Sequence, residues 1–179
     1  MRVLRFPTAA ELVSEMDRAM DDDTSVHPIS WVNLVTELVE SNLAQWELED
    51  LTRDPSASNE VVANAKRGID RLNIGRHRLV ERVDALIATD LDQSADAPLA
   101  TESPGMILDR LSVLVIRRAR TRSASTSRPD YSERLPELEA RIDALSSAFD
   151  SYLDELRAGT RQFLPYEHFK LYRFGVAED

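Results

Sequence analysis

The chain has 179 residues, no cysteine and a formal net charge of -10. This length suits one domain with its own core, and the lack of cysteine excludes disulfides and thiolate metal sites. The negative charge argues against nucleic acid and anionic membranes as partners, and no apolar run approaches the roughly 20 residues of a membrane span. We expect a single domain over residues 1–179, without a signal peptide and in the cytoplasm.

Apolar residues recur at helical spacing along the chain, which predicts an all-α bundle of about five helices. The capping-box pair Thr8 and Glu11 predicts a short first helix, and with a linker this helix occupies residues 1–29. The main part of the bundle is predicted over residues 30–175.

Two long helices are predicted next, over residues 30–53 and 59–91. The second of these would be a central helix on the order of 50 Å long if unbroken. Gly68 and Gly75 lie inside it and indicate a kink or a close helix crossing.

The C-terminal half contains two further predicted helices. Ser103-Pro104 marks the start of one, and the serine-rich residues 123–130 predict a mobile loop after it. The last helix spans residues 135–158 and is closed by Gly159. An aromatic tail follows and is predicted to pack back on the bundle; its aromatic residues are Phe163, Tyr166, Phe169, Tyr172 and Phe174.

Polar residues stand at several positions where the helical pattern predicts a core. The apolar stripe of the second helix turns polar in its C-terminal half, at Asn42, Glu49 and Arg53, with Asp50 beside them. A polar line borders the stripe of the third helix and comprises Lys66, Asp70, Asn73, His77 and Asp84. Near the start of the fourth helix stand Glu102, Asp109 and Arg110.

The loop between the second and third helices is short, so their charged ends are expected to lie side by side. The groups concerned are Glu49, Asp50 and Arg53 on one helix and Lys66, Arg67 and Asp70 on the other. Buried charges persist when they are paired, which suggests a salt-bridge network that fixes the helix register. A polar pocket in the bundle core is the functional alternative.

Two enzyme classes are weaker alternatives. Carboxylates such as Glu49, Asp50 and Asp109 suit magnesium, and Glu37-x-x-Glu40 with Glu47-x-x-Asp50 resembles the acidic motifs of all-α nucleotide pyrophosphatases, although these motifs lie too close together on one helix. A magnesium-dependent phosphohydrolase is therefore one alternative, but no cofactor or metal site is predicted. Arg71 and His77 have the spacing of a helical HEPN ribonuclease motif, but Leu72 replaces its usual polar residue.

Five motifs in order resemble a bacterial family known as domain of unknown function 4254. They are Asn42-x-x-x-Trp46-x-x-Glu49-Asp50, Lys66-Arg67-x-Ile69-Asp70-x-Leu72-Asn73, Glu102-x-Pro104-Gly105, Asp109-Arg110-Leu111-Ser112 and Phe169-Lys170-x-Tyr172. The resemblance implies a helical protein whose gene often lies near those of glycosyltransferases and cell-surface polysaccharides. The chain departs from the family pattern at Ile74, His77 and Arg173, which predicts a ligand different from that of other members.

The leading hypothesis is a pocket that binds an anionic metabolite, such as a sugar phosphate or nucleotide sugar. Lys66, Arg67, Arg76 and Arg110 would hold the anion, while Glu49, Asp50 and Asp109 would orient hydroxyls or act as acid and base. The other predicted ligand-binding residues are Asn42, Arg53, Asp70, Asn73, Glu102, Lys170 and Tyr172. The alternative is a non-catalytic accessory protein that self-associates or docks on a glycosyltransferase. The sequence leaves open whether the protein is an enzyme.

Overall fold

Five α-helices form the bundle in the computed structural model, which describes residues 7–20, 31–91 and 93–169. The predicted all-α fold is confirmed: within these ranges the only strand-like feature is an isolated bridge between Leu99 and Gln162. A short 3₁₀-helix (Pro129–Arg134) precedes the last α-helix. The α-helices are α1 (Ala9–Met20), α2 (Trp31–Arg53), α3 (Asn59–Thr89), α4 (Pro104–Ser125) and α5 (Leu135–Arg157).

Local signals explain where several helices begin and end. The Thr8 N–H donates to Glu11 Oε2 at 2.7 Å and the Glu11 N–H donates to Thr8 Oγ1 at 3.3 Å, which is the predicted capping box. Ser103 Oγ accepts the N–H of the third residue of α4 at 3.4 Å, and Pro104 occupies the first position. Gly159 follows α5 with a φ of 67°, a conformation that glycine adopts without strain.

The prediction of a mobile loop over residues 123–130 is wrong at both ends. Helix α4 continues to Ser125, and a 3₁₀-helix begins at Pro129. The hydroxyls of Ser125 and Thr126 each donate at 2.7 Å to the carbonyl three residues earlier. Serine and threonine therefore extend the helix here by satisfying its last carbonyl groups, where composition alone predicts a loop.

Helix α4 lies at the centre of the packing, because it contacts α1, α2, α3 and α5. Its inward residues Leu108, Leu111, Val115 and Ile116 are buried in the main hydrophobic core. Helices α2 and α3 form the most extensive pair. Within the described ranges, no helix combines the length and apolar character that crossing a membrane requires.

Gly68 and Gly75 have different roles in α3, which runs unbroken through both. A Cβ atom on Gly68 would lie 2.6 Å from Leu48 Cδ1, so Gly68 permits the close crossing of α2 on α3. A Cβ atom on Gly75 would meet nothing within 4 Å beyond the helix itself. Of the two glycines, only Gly68 therefore lies at a close helix crossing of the kind that the sequence predicts.

Gly75→Ala is expected to raise the free energy of unfolding by up to about 1 kcal/mol, because alanine loses less backbone entropy in a helix and meets no obstacle here. Urea unfolding followed by circular dichroism measures the change. Gly159→Ala is the matched control, since its added Cβ also meets nothing within 4 Å but its φ is 67°. That variant should lose about 1 kcal/mol, so equal effects of the two substitutions would contradict the interpretation.

Candidate functional site

A cleft of about 450 Å³ opens between α2, α3 and α4. Its size is in the range of small-molecule sites. Helix α2 supplies most of the wall, because positions three and four apart face the same side of a helix. The lining residues are Asn42, Gln45, Trp46, Glu49, Asp50, Arg53, Arg76, Val113 and Arg117.

Asp109 is held beside this cleft by groups from two other helices. Asn42 Nδ2 donates to Asp109 Oδ1 at 2.9 Å, and Arg76 Nη1 donates to Asp109 Oδ2 at 3.2 Å. The buried Asn42 also donates to Ser112 Oγ at 2.8 Å, and Arg76 Nη2 donates to Asn73 Oδ1 at 3.2 Å. Side chains of α2, α3 and α4 are thus joined in one hydrogen-bonded network that fixes Arg76 at the cleft wall.

The mouth of the cleft carries charged groups in different pairing states. Glu49 and Arg53 form an ion pair of 3.0 Å along α2. Asp50 and Arg117 form no ion pair with any residue that the structure describes. A carboxylate and a guanidinium group are therefore available to a ligand at the same opening.

Two lining side chains contain buried polar atoms without a hydrogen-bond partner in the described structure. These atoms are Arg76 Nε, a donor, and Gln45 Oε1, an acceptor. A buried polar atom without a partner costs on the order of 1–3 kcal/mol. A small rearrangement that gives either atom a hydrogen-bond partner would therefore stabilise the cleft wall.

The charged residues at the start of α3 lie outside this cleft. Lys66 and Asp70 pair with each other at 3.6 Å, and both side chains are more than half exposed. Arg67 Nη2 donates to Asn64 Oδ1 one turn earlier in the same helix. The expected charge network between α2 and α3 does not form among the described residues, since the paired groups bond within their own helices.

The remaining predicted ligand-binding residues are not part of the cleft either. Glu102 and Arg110 form an ion pair of 3.2 Å and line a separate depression of about 500 Å³. Lys170 and Tyr172 lie outside the described residues. Of the predicted set, the cleft and the network behind it bring together Asn42, Glu49, Asp50, Arg53, Asn73, Arg76 and Asp109.

Sequence reasoning did not assign Gln45 and Arg117 to the site. Arg117 belongs to a run of arginines in which Arg118 and Arg120 pair with Asp17 and Glu47 at 2.5 and 2.8 Å. The helical period carries the missing signal, since residues 109, 113 and 117 are four apart on one face of α4. Gln45 is likewise three residues after Asn42 on α2.

A second polar cluster centres on Asp84, which is completely buried. Its Oδ1 accepts the Gly105 N–H at 2.7 Å, its Oδ2 accepts the Tyr166 N–H at 2.8 Å, and the Ser103 hydroxyl also donates to it. Burial raises the pKa of Asp84, and these hydrogen bonds oppose the shift. Asp84 thus joins α3 to the start of α4 and to the segment after α5.

The acidic residues of the α2 motifs are not gathered around a common point. Glu37 pairs with Arg82 at 2.7 Å and Glu47 with Arg120 at 2.8 Å. Within the described ranges, no group of three or more histidine or acidic side chains is arranged to hold a metal ion. The geometry of these residues therefore lends no support to a magnesium centre.

The comparisons with known proteins concern the same part of the chain. A family model described as "Protein of unknown function (DUF4254)" matches residues 32–164. No curated protein and no solved structure matches the chain. The matched range contains all the residues that line the cleft.

Proposed function

The chain belongs to the DUF4254 family of proteins of unknown function, and we propose that it binds a phosphorylated sugar or a nucleotide sugar in the cleft between α2, α3 and α4. The observation that carries the proposal is the unpaired guanidinium of Arg117 at a cleft that also offers carboxylates and an indole ring. These three chemical groups match the phosphate, the hydroxyls and the ring of such a ligand.

Arg117 is the group proposed to hold the phosphate. A guanidinium binds phosphate through two parallel N–H donors, and this fork is strongest when it has no competing carboxylate. Arg53 and Arg76 line the same cleft, but they are already engaged with Glu49 and Asp109. Arg117 is therefore expected to contribute most of the affinity for the anion.

The acidic residues and Trp46 are proposed to recognise the sugar. Asp50 has no ion-pair partner in the described structure, so its oxygens can accept hydrogen bonds from sugar hydroxyls. Glu49 pairs with Arg53 through Oε2, which leaves its other carboxylate oxygen for the same role. Trp46 is partly exposed and provides a flat apolar wall for a sugar ring or a base. A ligand that shifts Gln45 or Arg76 would also relieve their unpaired buried atoms.

Binding is better supported than catalysis. Both carboxylate oxygens of Asp109 are occupied by Asn42 and Arg76, so this side chain is placed to orient Arg76. A general base needs an oxygen within hydrogen-bond reach of the proton that it removes. We therefore propose Asp109 as a positioning residue behind the cleft.

The test is isothermal titration with glucose 1-phosphate, UDP-glucose, inorganic phosphate and glucose. We expect glucose 1-phosphate and UDP-glucose to bind. Both should bind at least about tenfold more weakly after Arg117→Ala, because a charge-assisted hydrogen bond contributes about 1.5–3 kcal/mol. Arg120→Ala is the matched control, since Arg120 lies on the same helix but pairs with Glu47 outside the cleft. Equal affinity of glucose and its phosphate, or an Arg117→Ala variant that binds like wild type, would refute the proposal.

A second candidate function is docking on another protein, such as a glycosyltransferase, or on a second copy of the chain. Leu99 and Leu164 are more than half exposed and line one depression, and Phe169 is 87 % exposed. Light scattering of the purified protein tests self-association. A monomer at all concentrations, unchanged by Leu164→Ser, would count against that half of the hypothesis.

A further inference from the structure

Residues 163–169, here called the C-terminal strap, lie against α3 and contact it at Asp84, Glu81 and His77. Phe163 anchors the strap because its side chain is buried in the core. The Tyr166 N–H donates to Asp84 at 2.8 Å, and the His168 N–H donates to Glu81 Oε1 at 2.9 Å. Carboxylates of α3 thus hold the backbone of the strap at two points.

Aromatic rings of the strap stack on His77 of α3. The rings of His77 and His168 are 4.0 Å apart and nearly parallel, at 16°. Tyr166 lies on His77 at 5.5 Å, and its hydroxyl is 2.7 Å from His77 Nδ1. His168 Nε2 is buried and has no hydrogen-bond partner in the described structure.

We propose that this stack is a pH-sensitive latch, which holds the strap on α3 while His77 is neutral and releases it when His77 is protonated. A charged His77 ring would lose hydration in the stack, where the His168 ring lies 4.0 Å away, and it would also meet the like charge of Arg76. The inference rests on the strap contacts and is independent of the proposed ligand.

The surroundings of His77 as a whole favour its neutral form. Burial lowers the pKa of His77 most, followed by the neighbouring His168 and Arg76. Asp109 from α4 and Glu81 from α3 act in the opposite direction, but they do not reverse the shift. Among the described residues Tyr166 also faces the ring; it is neutral in this pH range because the ordinary tyrosine pKa is about 10, and burial raises it further.

The direction of the pH effect follows from this lowered pKa. A histidine whose pKa is lower in the docked state than in the released state stabilises docking when the pH is above its ordinary pKa. This contribution is lost as the pH falls through the pKa of the docked state. The hydrogen bond between Tyr166 and His77 is compatible with a protonated ring, whose Nδ1–H donates to the tyrosine oxygen, so the pH effect comes from charge. Asp84 acts in the opposite sense, because its raised pKa makes protonation favourable in the folded state.

Amide hydrogen exchange measured by NMR from pH 7.5 to pH 5 tests the latch in the full chain. The Tyr166 and His168 amides, corrected for intrinsic exchange, should lose protection by about 10- to 100-fold, since each proton bound on release contributes at most tenfold per pH unit. The Val83 amide, in the buried part of α3, should keep its protection. Unchanged strap protection, or an equal loss at Val83, would overturn the proposal.

The double variant His77→Phe, His168→Phe keeps two stacked rings but cannot be protonated. Its strap protection should change by less than about threefold over the same pH range, because no proton is taken up on release. If this variant does not fold, His77→Phe alone should show the same flat pH profile, because the ring whose protonation drives release is gone. A pH profile identical to wild type in either folded variant would show that these histidines are not the switch.

Discussion

Replacement of Asp84 by alanine is expected to lower the free energy of unfolding by about 3 kcal/mol. The buried carboxylate accepts hydrogen bonds from the backbone of Gly105 and Tyr166 and from the Ser103 hydroxyl. Alanine would leave these donors buried without an acceptor, and this cost exceeds the gain from removing a desolvated charge. For a domain of this size, the loss corresponds to a drop in melting temperature of roughly 6–12 °C.

Urea unfolding and differential scanning calorimetry measure this change. Asp70→Ala is the matched control, because Asp70 is on the same helix but its side chain is 65 % exposed and, among the described residues, pairs only with the exposed Lys66. The control should change the free energy of unfolding by less than about 0.5 kcal/mol. Similar losses in the two variants would show that the buried hydrogen bonds of Asp84 contribute little.

The pH dependence gives an independent check on Asp84. Burial raises its pKa, so the folded state binds its proton more tightly than the unfolded state does. This contribution to stability is fully present at acidic pH, below the unfolded pKa, and is lost as the pH rises through the folded pKa. The difference between wild type and Asp84→Ala should therefore widen when the pH is lowered from 7 towards 4.

Gly105→Ala is expected to lower the free energy of unfolding by about 2–3 kcal/mol. A Cβ atom at this position would lie 2.6 Å from the carbonyl oxygen of Val80 and 2.9 Å from Asp84 Oδ1. The first of these atoms belongs to the backbone of α3, so the clash is relieved only if the start of α4 moves away. Such a movement would also lengthen the hydrogen bond between Gly105 and Asp84.

Gly75→Ala provides the contrast for this prediction, because the same added methyl group meets nothing within 4 Å there. The two substitutions should change the free energy of unfolding in opposite directions. Chemical unfolding of both proteins under one set of conditions decides the matter. A Gly105→Ala variant as stable as wild type would mean that α3 and α4 are not in the close contact described here.

The helices themselves were largely determined by the sequence. Apolar spacing located all five, and local signals such as the capping box at Thr8 and the Ser103-Pro104 start located their ends within a few residues. These signals work because a helix turn is stabilised by residues three and four apart along the chain. The same period placed the polar residue Asn42 on the apolar stripe of α2, and the structure buries it.

The composition of the candidate site was decided by the tertiary structure. Lys66 and Asp70 carry the expected charges but lie on a face of α3 that is exposed to solvent, where they pair with each other. Arg117 and Gln45 share helix faces with Asp109 and Asn42, but only the packing of the helices decides that these faces enclose one cleft.

The strap depends still more on the fold. Tyr166 meets Asp84 and His77 across 82 and 89 residues of sequence. Contacts at such separation depend on how whole helices pack, since that packing alone decides which side chains face one another. A sequence pattern therefore predicts the helices of this protein, while their packing determines which of its polar residues act together.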